Sequence, residues 1–298
     1  MLEMTQLPLV IFTLLSQMAV GGILCLLLLD KGRENSSLIK KGSIFVFRIT
    51  VVGILASLFH LGHPFLAFRA LTHVSTSWLS REIVVFAAFA LLVLAYAYLA
   101  QKESPARKVI GILAGLVGIL GIAFSGQLYL LPAHPGWDNY TTILFFYSSA
   151  FLVGPVVLLA YLQASLKKEI PVLRSVAIKS MFVGALLLAI SIALSLNYQM
   201  NGAPEAMASA NLKLGSYLGL FILQLVLSIG GAVVGALVMS KGSSTSLAHA
   251  EVAATSQVFN NPALAFALLI VLGEISGRLL FYLSTVSMVV GNGMGVIN

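Results

Sequence analysis

Charge is what this chain lacks. Its 298 residues hold 10 acidic and 17 basic side chains, 9% of the total, against 59% hydrophobic residues. That balance lies outside the range of soluble domains and points to an integral membrane protein. Cysteine is nearly absent as well. The lone Cys25 excludes an intrachain disulfide and any iron–sulfur cluster held by this chain alone; within an apolar run it reads as a packing residue. Lysine and arginine are missing from residues 1–6, and the apolar run that follows is long enough to span a bilayer. A retained helix is expected there, not a cleaved leader.

What is present is long runs of Leu, Ile, Val, Ala and Phe. Crossing a hydrocarbon core of ~30 Å takes about 20 apolar residues, and eight stretches qualify: 7–29, 43–63, 82–100, 109–131, 142–163, 176–196, 215–239 and 262–285. The expectation is an all-α protein with eight transmembrane helices, forming one domain over 1–298. A β-barrel would instead show short alternating segments.

The basic residues orient the bundle, because short cytoplasmic loops carry the positive excess. Lys31, Arg33, Lys40 and Lys41 follow the first helix, Lys102, Arg107 and Lys108 the third, and Lys167, Lys168, Arg174 and Lys179 the fifth. The alternate loops hold only Arg69, Arg81 and Lys213. Both termini and loops 64–81, 132–141 and 197–214 are therefore expected on the outer, periplasmic face of a bacterial inner membrane. The net charge of +7 then requires no nucleic-acid partner.

Many features read as structure. Gly111, Gly115 and Gly118, and Gly231 with Gly235, have the small-residue spacing that lets membrane helices approach closely. Pro155 should kink the fifth helix, and Arg48, about one turn from the inner end of the second, can snorkel to head groups. Trp78, Trp137, Tyr129, Tyr140 and Tyr282 read as an interfacial aromatic belt.

The segment from Ser57 to Ile83 differs, because polar and aromatic groups crowd around one outer loop. His60 lies one turn inside the second helix, which Pro64 ends. Phe65, Phe68, Leu71 and Val74 suggest a short amphipathic helix on the outer face. Ser80 is a candidate N-cap for the third helix, with Glu82 in its first turn. In the eighth helix Glu274 and Arg278 stand four residues apart, hence on one face. They can pair with each other, or Arg278 can stabilise a developing negative charge.

Ionisable groups at membrane depth are costly and mark functional sites. An outward-facing His and Glu beside an amphipathic aromatic loop suit a lipophilic ligand that exchanges protons at the membrane edge. A quinol fits, since its ring needs apolar walls and its hydroxyls need a hydrogen-bond partner and a proton acceptor.

At these residues the chain resembles the DmsC family, the membrane anchor subunits of bacterial dimethyl sulfoxide reductase, within the wider polysulfide and nitrite reductase anchor superfamily. The resemblance rests on Pro8-Leu9-Val10-Ile11-Phe12-Thr13 with Gln17, Gly21 and Gly22, and on His60-Leu61-Gly62, Pro64, Ala67-Phe68, Leu71, Ser77, Leu79-Ser80 and Glu82-Ile83. It continues in Pro135-Gly136-Trp137-Asp138-Asn139-Tyr140-Thr141-Thr142, Gly273-Glu274, Gly277-Arg278 and Leu280-Phe281-Tyr282.

The resemblance implies a subunit that anchors a molybdopterin catalytic chain and an iron–sulfur chain on the outer face, and that oxidises menaquinol to feed them electrons. It implies no haem, molybdenum or iron–sulfur cluster in this chain. The quinol-site residues would be His60 and Glu82, with Glu274 and Arg278 from the last helix. His63 and Arg81 stand beside them where the family pattern has smaller or uncharged residues, which leaves the acceptor open among dimethyl sulfoxide, tetrathionate, polysulfide and selenate. A haem-bearing quinol dehydrogenase would need axial histidines on facing helices, whereas His60 and His63 share one helix end and His73, His134 and His249 fall in loops. A secondary transporter would predict broken helices around a midplane site; here the ionisable groups lie toward one face.

Overall fold

The computed structural model describes residues 7–30, 35–59, 72–241 and 261–288. Every regular element among them is helical: α1 (Leu7–Leu29), α2 (Ser36–Leu58), α3 (Trp78–Gln101), α4 (Arg107–Gln127), α5 (Thr141–Leu166), α6 (Pro171–Met200), α7 (Pro204–Leu214), α8 (Leu218–Gln224), a π-helical turn (Leu225–Gly230), α9 (Gly231–Lys241) and α10 (Pro262–Leu283). Eight spans are long and apolar enough to cross a membrane, with α8, the π turn and α9 forming one of them. The expected run 215–239 is thus interrupted by a π turn but remains a continuous helix. The short helix α7 is an addition to the eight expected runs.

Successive spans run antiparallel, as bonds at both ends show. At one end Arg107, opening α4, clamps Asp30, just past α1, with Nη2 at 2.7 Å from Oδ1 and Nε at 3.0 Å from Oδ2, both side chains buried. Beside it Lys40 of α2 meets Glu103 after α3 at 2.7 Å. At the other end the Trp137 indole donates to the Phe281 carbonyl at 2.9 Å, and Ser191 of α6 donates to the Thr141 carbonyl at 2.9 Å.

The interior is built on α1 and α5, the most deeply buried spans. Their close approach depends on glycine. A Cβ on Gly154 would come within 2.6 Å of Gly21 Cα, and Gly21 itself faces the Ala150 backbone. Neither contact could be relieved by a side chain, because backbone meets backbone. The α4 glycines also prove to be packing positions, with Gly111 against Leu27 and Tyr96 and Gly118 against Val20 and Phe89. Pro155 sits inside α5 and has no N–H to bond the Phe151 carbonyl four residues back. The Ser180 hydroxyl of α6 donates to that carbonyl at 2.7 Å, satisfying it from outside the helix.

Three expectations are corrected here. The cap of α3 is Ser77, whose Oγ accepts from the Ser80 N–H at 3.4 Å; Ser80 is inside the helix and Glu82 lies in the second turn, beyond the first-turn dipole position. Helix α2 begins at Ser36, not 43, so exposed Arg48 stands about three turns in from its start. Tyr129, Tyr282 and Trp137 turn into the bundle, and the two tyrosines are 7% and 5% exposed, because a ring hydrogen-bonded inside gains more than one left at a boundary. Of the five expected belt residues, Trp78 and Tyr140 are exposed. The amphipathic stretch from Phe65 to Leu71 lies outside the described residues, as do His60, His63 and Pro64.

Candidate functional site

Polar side chains that no helix can satisfy alone converge at the end of the bundle where α1, α3 and α5 begin and α4 and α10 end. Glu82 of α3 is 5% exposed, and its Oε1 accepts a short hydrogen bond from Ser125 Oγ of α4, itself buried. A carboxylate so placed is exposed to nearly the full cost of desolvation with one hydroxyl to offset it. The Trp78 ring, one turn earlier on α3, packs edge-on against Phe124 of α4 at 5.5 Å.

Beside this pair stands a knot of aromatic rings. The Tyr129 and Tyr282 hydroxyls share a hydrogen bond of 2.6 Å, and the Glu82 carboxylate is close enough to act on both phenols electrostatically. Phe281 stacks on Trp137 at 5.1 Å and meets Tyr129 edge-on at 5.2 Å.

One turn along α10 from Tyr282 lies Arg278, fully buried. Its guanidinium carbon sits 4.3 Å from the Phe145 ring centroid and 4.1 Å from that of Phe146, so the π faces of α5 stabilise the charge. Nη2 donates to Gln17 Oε1 of α1 and, at 2.9 Å, to Ser149 Oγ of α5. Ser149 in turn donates to Glu274 Oε2 at 2.5 Å. Glu274 and Arg278 share a face as their spacing requires, yet Ser149 is interposed and no direct ion pair forms. Among the described residues Arg278 Nε and Nη1, Gln17 Nε2 and Glu274 Oε1 find no hydrogen-bond partner. Gly273 makes room for the π turn, since a Cβ there would come within 2.9 Å of the Leu227 carbonyl carbon and would also meet Ser228.

Of the residues singled out from sequence, Glu82 lies at this end of the bundle, while Arg278 and Glu274 lie about one and two turns deeper along α10 from Tyr282. Arg81 is directed elsewhere. Its Nε donates to the Val74 carbonyl at 2.9 Å and Nη2 to that of Ser75 at 2.6 Å, and it stacks over Trp78 at 4.2 Å, clamping the loop before α3. His60 and His63 lie outside the described residues. Sequence reasoning missed Ser125 and Ser149 and gave Gln17 no role. Among them Gln17 carried a signal, as an amide in the middle of a 23-residue apolar helix. Among the described residues no group of three or more His, Cys, Asp or Glu side chains is placed to hold a metal ion.

Residues 1–283 match the model of a family described as the DMSO reductase anchor subunit (DmsC). The chain is similar to the C component of the anaerobic dimethyl sulfoxide reductase of Haemophilus influenzae, 34% identical over 170 residues that cover 55% of this chain and 61% of the relative. It is 30% identical to the YnfH component of the anaerobic dimethyl sulfoxide reductase of Escherichia coli K12, over 53% of this chain and 58% of the relative. It is also 37% identical to the C component of the sulfite dehydrogenase of Allochromatium vinosum, over 98 residues covering 31% and 30% of the two proteins. The aligned stretches thus span about 60% of the length of the two reductase relatives.

Proposed function

The chain belongs to the family of DMSO reductase anchor subunits, and from that membership we propose that it oxidises menaquinol at the Glu82 end of the bundle. In this reading it holds an iron–sulfur subunit and a molybdopterin catalytic subunit against the outer face of a bacterial inner membrane. The observation that carries it is the Glu82 carboxylate, buried at one end of the bundle with a single hydroxyl partner and adjacent to hydrogen-bonded phenols. The basic residues support the orientation, since Lys40, Lys102 and Lys168 lie at the opposite end and positive loops stay inside. Both termini then face outward.

A hydroquinone entering from lipid would donate one O–H to Glu82 and the other to His60. Removal of two electrons to the iron–sulfur subunit releases both protons, which Glu82 and His60 accept and pass to the outer face. Arg278, held between two rings, supplies a fixed positive field that favours the anionic form of the nearby groups. Protons and electrons leave on the same side, so this subunit separates little or no charge across the membrane.

The test is oxidation of a menaquinol analogue by membranes containing the whole complex, with Glu82→Gln and His60→Leu compared with wild type at matched complex levels. Loss of quinol oxidation of about 10²-fold or more, with dye-driven activity of the catalytic subunit retained, is the expected outcome. Unchanged quinol oxidation in both variants removes these residues from the mechanism. The similarity to a sulfite dehydrogenase component favours a second reading in which the same site runs in reverse and reduces quinone. Whether wild-type membranes turn over the reduced or the oxidised analogue decides between the two.

A further inference from the structure

A cleft lies among α5, α6, α7, α8 and α10; its lining includes Phe145 and Phe281 but neither Glu82 nor Ser125. It exists because α6 packs closely along α9 but hardly touches α8, so the two spans part toward the end where Lys213 lies. The empty space, counted out to its open side, is about 500 Å³.

Its apolar wall includes Ile192 of α6, Phe221 of α8 and Leu280 of α10, while Lys213, Gln224 and Ser195 supply the polar groups. Lys213 ends α7, and its Nζ donates at 3.1 Å to Gln199 Oε1. That acceptor is neutral and fixed, because the Gln199 Nε2 is spent on the Gly136 carbonyl at 2.6 Å. Among the described residues no carboxylate lies within ion-pair distance of Lys213. Burial pushes its amine down to about 8 from the ordinary 10.5, with no neighbouring anion to hold it up. The Gln224 side chain is only 3% exposed, yet it makes no hydrogen bond among the described residues. It lies flat against Gly277, where a Cβ would come within 2.7 Å of its Cδ. Glycine at 277 is what lets the amide reach the cleft.

An ammonium without a counter-ion, a free amide and a hydroxyl therefore line a cleft that also has apolar walls and lies where α6 and α8 part. Three donors lining one space call for an acceptor-rich anion, and the apolar wall of Ile192, Phe221 and Leu280 calls for acyl chains attached to it. We infer that this cleft binds the phosphodiester head group of an anionic phospholipid, with Lys213 and Gln224 holding the phosphate oxygens and one acyl chain running between α6 and α8. The lipid would fill the gap between those spans and brace α10 beside Gly277.

The test uses the complete complex, stripped of bound lipid in a neutral detergent and titrated with phosphatidylglycerol, phosphatidylcholine or inorganic phosphate. Binding is read by native mass spectrometry and by the shift of the melting temperature. Phosphatidylglycerol should bind at least tenfold more tightly than phosphatidylcholine and raise the melting temperature, with inorganic phosphate ineffective at the same concentration. Lys213→Gln and Gln224→Leu should each weaken phosphatidylglycerol binding several-fold, Lys213→Gln by about tenfold, and Lys213→Arg should retain it. Lipid-free melting temperatures of the variants report whether the fold is kept. Equal binding of the two lipids, or binding unchanged by both substitutions, overturns the inference. So does full displacement of phosphatidylglycerol by inorganic phosphate, which would mark a free-anion site, or by a menaquinone analogue, which would mark a quinone site.

Discussion

Arg278 is a charge placed where charge costs most, and its surroundings explain how it is tolerated. Two phenylalanine faces, one serine and one glutamine carry it, while Glu274 is reached only through Ser149. The carboxylate and the guanidinium therefore depend on each other through a relay. Arg278→Met should destabilise the bundle by about 1–3 kcal/mol, the typical cost of leaving a buried polar group unsatisfied, because Glu274 loses the charge that Ser149 relays to it. Adding Glu274→Gln to that variant should restore part of the loss, since two neutral groups leave no stranded charge. Melting temperatures of the two single variants and the double variant check this. Effects that merely add would mean that Ser149 transmits no coupling.

At the level of whole helices, α5 illustrates how the bundle repairs its own irregularities. Proline at 155 frees the Phe151 carbonyl inside a medium with no water to take it, and Ser180 of α6 supplies the missing donor. Ser180→Ala should cost about 1 kcal/mol, measured as a drop in melting temperature. In a Pro155→Ala background, where the helix bonds its own carbonyl, the same substitution should be nearly silent. The spans were legible in the sequence because bilayer thickness dictates the length of an apolar run. Their ends were less so: α2 extends seven residues earlier through Lys40 and Lys41, and α6 runs to 171–200 where 176–196 was expected, because a helix need not stop where hydrocarbon does. The π turn left no mark, since Leu225–Gly230 has the same composition as its flanks. Helix α7 did leave a mark in Pro204 and Glu205, favoured at a helix start.

Across the molecule the two ends are chemically unlike. One is closed by the Asp30–Arg107 clamp and ringed with lysines; the other gathers Glu82, the tyrosine pair and the Arg278 relay. Glu82, Glu274 and Arg278 stood out in the sequence because ionised groups are rare in apolar runs. Ser125, Ser149 and the inward turn of Tyr129 did not, because small hydroxyls and boundary tyrosines are common and only packing reveals their partners. The proposed orientation predicts an asymmetry in labelling of intact cells. A cysteine replacing Tyr140, 79% exposed, should react with a membrane-impermeant maleimide, while one replacing Lys102 should react only after permeabilisation. Cys25 is buried and should contribute little background. The reverse pattern would invert the bundle and place the Glu82 end inside.

The π turn sets the rotation of α9 relative to α8, and α10 packs against both halves of the span. Losing a residue between Leu225 and Gly230 would rotate α9 by about 100° against α8, carrying Gly235 away from Phe266 and Met181, which now fill the space a side chain would need. The π turn and the glycine face of α9 are thus one packing unit, and neither can be altered without refitting the other.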